Sequence, residues 1–160
     1  MLYALIIIAI VAGDWIIKSK MDKKLDFKSR IRILKNKITL NKLYNKGAMM
    51  SIFKDKPPVL YAASCGTLIF ALYILCYLIK HRPKGNSIAV FLVKLGIALA
   101  IGGGLNNLID RIKNGHVTDY FSINVSRPAF LKHIVFNLSD MFVFIGTTLA
   151  GISALLVNKS

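Results

Sequence analysis

The chain has 160 residues, 55% of them hydrophobic, with a formal net charge of +15 and a mean hydropathy of +0.57. A soluble domain of this size needs more polar surface than that composition supplies, and apolar residues gathered in long blocks exclude a disordered chain. High hydropathy beside high charge means that the two are segregated along the sequence, as in an integral membrane protein forming one small domain over residues 1–160.

Four apolar blocks approach the length of a bilayer-spanning helix, about 20 residues. The first, residues 1–17, carries Asp14 near its end. It has no basic residue ahead of it and no small-x-small cleavage pattern, so it is expected to be retained rather than removed as a signal peptide. Residues 18–57 follow and hold 13 of the 22 basic residues. Within them Phe27–Ile33 and Lys37–Asn41 alternate apolar and polar side chains around Lys35-Asn36, the pattern of a short β-hairpin or sheet with one basic face. Such a face suits anionic lipid headgroups. Nucleic acid is not an expected partner, because the charge is tied to membrane spans and no nucleic-acid motif accompanies it.

The second span, residues 58–79, has no charge at all; the third, 88–109, contains Lys94 near its start, placed to snorkel outward; the fourth, 134–157, has Asp140 inside it. Four spans put both termini on one side and the 18–57 and 110–133 segments together on the other. The expected fold is therefore an all-α membrane bundle of four helices, with a small extramembrane sheet between the first two. Cys65 and Cys76 lie eleven residues apart in the second span, about 16 Å along a helix axis. That distance is too long for a disulfide, so both are expected to be core packing residues. His81, His116 and His133 have no ligand spacing and Glu is absent, which excludes a His-Glu-x-x-His zinc peptidase; neither metal nor cofactor is expected.

All seven acids are Asp. Asp22, Asp26 and Asp55 sit among the basic residues as counter-charges. Asp14, Asp110, Asp119 and Asp140 lie in a span, at its end, or in the loop joining the last two spans, where a carboxylate needs a partner or a purpose. Asp14 has Lys18 at i,i+4, and Asp110 has Arg111 or a neighbouring helix. Asp140 has no cation nearby in sequence. Asp119 and Asp140 therefore stand out as a candidate catalytic pair. Two adjacent carboxylates share one proton, so that one serves as base toward water while the other polarises a carbonyl.

Five blocks, in order and over nearly the whole chain, resemble the bacterial lipoprotein signal peptidase (signal peptidase II) family. They are Asp14-Trp15-Ile16-Ile17-Lys18, Asn45-Lys46-Gly47-Ala48, Asn107-Leu108-Ile109-Asp110-Arg111, Val117-Thr118-Asp119-Tyr120 and Phe136-Asn137-Leu138-Ser139-Asp140. The resemblance implies an aspartic endopeptidase that removes signal peptides from diacylglyceryl-modified prolipoproteins just before the lipidated Cys. Asp119 and Asp140 would be its dyad. Asn107, Arg111 and Asn137 would position substrate or aspartates, and Asp14, Lys18, Asn45, Gly47 and Asp110 would support the site. Departures from the family blocks include Asn106 where a Gly is usual, Ser139 where an Ala is usual, Met49-Met50 for Ala-Phe, and His133-Ile134-Val135 for a Trp-Pro segment. Ser139 is expected to add a hydrogen bond to the dyad.

Charge counting and resemblance conflict over orientation. The 18–57 and 110–133 side holds 17 Lys and Arg, against 4 on the other side. The positive-inside rule taken literally would make the first side cytoplasmic. The resemblance implies the reverse: a multi-pass protein of the bacterial inner membrane, monomeric, with both termini cytoplasmic and its site at the outer face, where lipidated prolipoproteins arrive. The expectation adopted is the latter. A non-catalytic lipid- or lipopeptide-binding protein on the same scaffold is the alternative. A small transporter lacks support from half-chain repeats, and the Gly-x-Gly-Asp signature of other intramembrane aspartyl proteases is missing.

Overall fold

The structure is a computed structural model that describes residues 1–47, 53, 55–81, 83, 85–124 and 134–157. Ala48, Met49, Met50 and His133 lie outside them. Four helices run up and down: α1 (Leu2–Lys24), α2 (Pro57–His81), α3 (Ser87–Asn114) and α4 (Leu138–Ala154). The first three are long and apolar enough to cross a membrane, while α4 is a shorter apolar helix of 17 residues. Their outward faces expose large apolar side chains such as Leu5, Ile8, Ile69, Phe70 and Phe144, surface that only a bilayer covers without cost.

The α3 helix is the axis of the bundle and contacts each of the other helices, most extensively α4. Its start is set by Asn86, whose side chain accepts from the backbone N–H groups of Ile88 and Ala89. Its end is set by Gly115, whose φ of 73° closes the helix in a conformation that disfavours a Cβ. Small residues bring α3 and α4 close. A Cβ on Gly96 would stand 2.5 Å from the carbonyl oxygen of Gly146, and one on Gly146 would meet Gly96 equally tightly. With no hydrophobic drive between helices in lipid, such close van der Waals approach is what holds them together.

At one end of the bundle lies a four-stranded antiparallel sheet of β1 (Ile31–Ile33), β2 (Ile38–Asn45), β3 (Val117–Ile123) and β4 (Val135–Phe136), in that order. The hairpin expected around Lys35-Asn36 is present, with Ile33 opposite Ile38. The sheet is not confined to the segment between the first two helices, however: half of its strands come from the segment after α3. The pairing of β2 with β3 joins the two segments expected on the same side, because burying backbone groups requires strand partners wherever they are near.

Three boundaries differ most from expectation, one of them the end of α3, which runs to Asn114 rather than Ile109. The fourth apolar block begins as strand, and α4 starts only at Leu138, because Asn137 caps the helix there. The α1 helix continues beyond the apolar block to Lys24, with Lys23 and Lys24 favourably placed at its negative end. Cys76 is exposed rather than part of the core and Cys65 is half-buried; α2 buries only Leu60 and Leu75, so most of its residues face outward.

Replacing Gly96 or Gly146 with Val is expected to destabilise the protein by about 1–3 kcal/mol through overpacking against backbone. Gly151→Ala, where nothing lies within 4 Å of the new Cβ, is expected to leave the melting temperature in detergent unchanged or slightly higher.

Candidate active site

The C-terminal ends of α1 and α3, the N-terminal end of α4 and the strands β2 and β3 converge at the sheet end of the bundle. Every candidate residue from the sequence lies there, and hydrogen bonds link them into one cluster.

Asp119 sits mid-strand in β3 and is 1% exposed. Its two carboxylate oxygens accept from the side-chain amides of Asn137, at 2.7 Å, and Asn45, at 3.1 Å. Asn45 reaches it because of a one-residue bulge. Leu40 faces Phe121, but Leu43 faces Asp119 and Asn45 faces Val117. Without the extra residue in β2, Lys42 and Tyr44 would take those positions and Asn45 would point to the opposite face.

Asp140 is half-buried in the first turn of α4. Asn137 and Asp140 form a capping box: the Asn137 side chain accepts from the Asp140 N–H at 2.9 Å, and the Asp140 carboxylate accepts from the Asn137 N–H at 3.1 Å. The other Asp140 oxygen accepts from Asn107 at 2.8 Å. Asn137 thus touches both candidate catalytic residues, using its amide nitrogen on Asp119 and its oxygen and backbone on Asp140.

Arg111 donates to the Gly47 carbonyl at 2.7 Å and to the carbonyl of Asn107 one turn earlier. Its charge is felt by both aspartates. The Gly47 N–H is in turn held by Asn45. Arg111 Nε is buried and has no hydrogen-bond partner among the described residues, so one directed donor beside the dyad remains available. Lys18, buried, contacts Asp14 at 3.0 Å, Asp110 at 2.7 Å and Asn107 at 2.8 Å. The ion pairs expected for Asp14 and Asp110 therefore exist and share one cation.

Ser139 does not act as the sequence suggested. Its hydroxyl bonds Asp14, with Asn106 donating to it, and so it points away from the dyad; the turn of helix that directs Asp140 toward Asn107 carries Ser139 to another face. Tyr120, quoted above only as part of a sequence block, joins the cluster as well: its hydroxyl donates to Asp14 at 2.9 Å. The signal was present, since a Tyr in a strand buried on both faces must find a partner for its hydroxyl.

Burial pushes the Asp119 carboxyl up to about 7; the nearby negative charge of Asp140 adds to the rise, and the bonds from Asn137 and Asn45 oppose it. No group of three or more metal-ligating side chains occurs among the described residues.

This arrangement of helices and sheet is shared with two bacterial membrane enzymes solved by the in meso method at 2.3 Å and 1.9 Å. The TM-scores are 0.75 and 0.73, at 24% identity in each case, covering 96% of this chain and 87% and 92% of theirs. The chain thus shares the fold of those two proteins. The chain belongs to the signal peptidase II family: the model described as Signal peptidase (SPase) II matches residues 6–156. Its relatives include the lipoprotein signal peptidases of Clostridium novyi, 32% identical over 97% of this chain and 98% of that one, and of Mesorhizobium japonicum, 33% identical over 92% and 81%. That of Streptococcus pneumoniae is 30% identical over 95% and 91%.

A carboxyl whose folded pKa lies above its unfolded value contributes stability that is complete at low pH and is lost as pH rises through the folded pKa. The melting temperature is therefore expected to fall from about pH 4 to about pH 7 and to level off above that, and Asp119→Asn to flatten the fall, as read by thermal unfolding in detergent across pH.

Proposed function

We propose that this chain is an aspartic endopeptidase that removes signal peptides from lipoprotein precursors, cleaving before the diacylglyceryl-modified Cys, with Asp119 and Asp140 as its dyad. The observation that carries this reading is Asn137, one side chain that holds both carboxylates at the same end of a membrane bundle. Family membership supplies the substrate class.

With Asp119 pushed up to about 7, the reading places the shared proton on it below neutral pH and leaves Asp140 to act as the base. Asp140 takes a proton from water as its oxygen attacks the scissile carbonyl carbon, while the Asp119 carboxyl donates to the carbonyl oxygen. Collapse of the tetrahedral intermediate breaks the C–N bond, and the proton from Asp140 goes to the leaving amine. Arg111, whose Nε–H has no partner among the described residues, stabilises the developing oxyanion or orients the peptide. Asn107, Asn137 and Asn45 hold the carboxylates, and Lys18, Asp14, Asp110 and Gly47 support those holders.

An apolar groove of about 270 Å³ between α1, α3 and α4 ends at Asp14 and Leu138, beside the residues that carry the dyad. It offers room for part of an acyl chain. The basic sheet end meets anionic headgroups. The protein works as a monomer in the bacterial inner membrane, with its site at the outer face and both termini cytoplasmic.

Purified protein given a diacylglyceryl-modified prolipoprotein is expected to cleave it, and Asp119→Asn or Asp140→Asn to lose at least about a thousandfold in kcat while remaining folded. Near-wild-type turnover by either variant sinks the dyad. A wild-type protein that binds the lipopeptide and never cleaves it is a binding protein instead. The alkaline limb of the kcat/KM profile is expected near pH 7, where Asp119 loses its proton. Orientation is read by labelling a Cys introduced at Asn36 in intact cells; protection from an impermeant reagent would place the sheet in the cytoplasm.

A further inference from the structure

Behind the dyad lies a second polar cluster. Asp14 is fully buried and takes donors on both oxygens. Tyr120 donates to Oδ1 at 2.9 Å. Lys18 at 3.0 Å, Asn106 at 2.7 Å and the Ser139 hydroxyl all reach Oδ2. Asn106 also donates to Ser139 at 3.0 Å. The Tyr120 hydroxyl accepts from the Leu138 N–H at 2.9 Å, one of the first amides of α4 that have no partner within the helix.

The members of this cluster are the chain neighbours of the dyad and its holder. Tyr120 follows Asp119, Ser139 precedes Asp140, and Asn106 precedes Asn107, the residue bonded to Asp140. Successive side chains in a strand point to opposite faces, and successive side chains on a helix differ by about 100°, so one neighbour faces the reaction while the other faces Asp14. A single carboxylate thereby fixes β3, the first turn of α4 and the last part of α3 relative to one another.

We infer that Tyr120, Ser139 and Asn106 are positioning residues for peptide cleavage, acting through the Asp14 carboxylate to set the spacing of the two aspartates. This rests on the dyad reading given above. Ser139 and Asn106 bond each other and the same oxygen, so they act as one unit: losing either loosens the joint between α3 and α4, and losing the second removes little more. Tyr120 acts separately, by holding the start of α4 against β3.

The test measures kcat, KM and melting temperature for Ser139→Ala, Asn106→Ala, the double variant and Tyr120→Phe, on detergent-solubilised protein with a diacylglyceryl-modified prolipoprotein, well below each melting temperature. Each single variant is expected to lose about tenfold in kcat with KM within about twofold, and the double variant to stay within about twofold of the worse single rather than falling about a hundredfold. Tyr120→Phe keeps the ring and removes only the hydroxyl, so it remains informative if the helix variants are poorly folded. Unchanged kcat in the folded variants, or singles that multiply in the double, overturns the inference. So does failure of all of them, Tyr120→Phe included, to fold, since a purely structural role then suffices. Asp119→Asn and Asp140→Asn are assayed alongside. Their inactivity with fully active positioning variants rejects this inference alone, whereas their activity rejects the dyad itself.

Discussion

Four carboxylates and two cations share one buried end of the bundle, and the surrounding structure is arranged to make that tolerable. Taking a charge out of water costs several kcal/mol per ion unless partners replace its hydration. Lys18 is divided between Asp14 and Asp110, and Arg111 lies where both Asp119 and Asp140 feel its charge. Two cations do not neutralise four anions. The remaining burden falls on neutral donors, Asn45, Asn106, Asn107, Asn137 and Tyr120, and is reflected in the Asp119 carboxyl, which burial pushes up to about 7. The abundance of Asn at this end follows from that shortage: an amide gives a directed donor without adding a charge to be buried.

The same constraint explains why helix ends and strand edges meet here. Backbone N–H groups at the start of α4 have no partner within the helix and present a favourable dipole to an anion. Asp140 occupies that position and completes the capping box, so the bond that starts the helix also aims the carboxylate. Stability and proposed chemistry draw on the same atoms.

Much of this was legible in the sequence because membrane proteins separate their signals. A charge-free block marked α2, an apolar block with the single charge of Lys94 marked most of α3, and alternation around Lys35-Asn36 marked the hairpin. Acids without neighbouring cations marked Asp119 and Asp140. What the sequence hid was long-range. The strands after α3 become a sheet only by pairing with β2 and each other. The start of α4 was masked by an apolar run that continues unbroken through a strand and a helix cap. Asn106 and Ser139 were visible only as unusual residues in otherwise familiar blocks. Their meeting at Asp14, 92 and 125 positions away, depends on helix faces that composition does not reveal.

The bulge in β2 makes chain length at one point a functional quantity. Deleting a single residue between Leu40 and Leu43 would leave hydropathy, net charge and all five sequence blocks almost untouched. It would nevertheless rotate the end of the strand by half a pleat and carry Asn45 away from Asp119, taking with it the hold on Gly47 and, through Gly47, on Arg111. A one-residue deletion in this short stretch therefore disturbs the site more than most substitutions there would, and an insertion acts in the same way. For this part of the chain, counting residues is as informative as reading them.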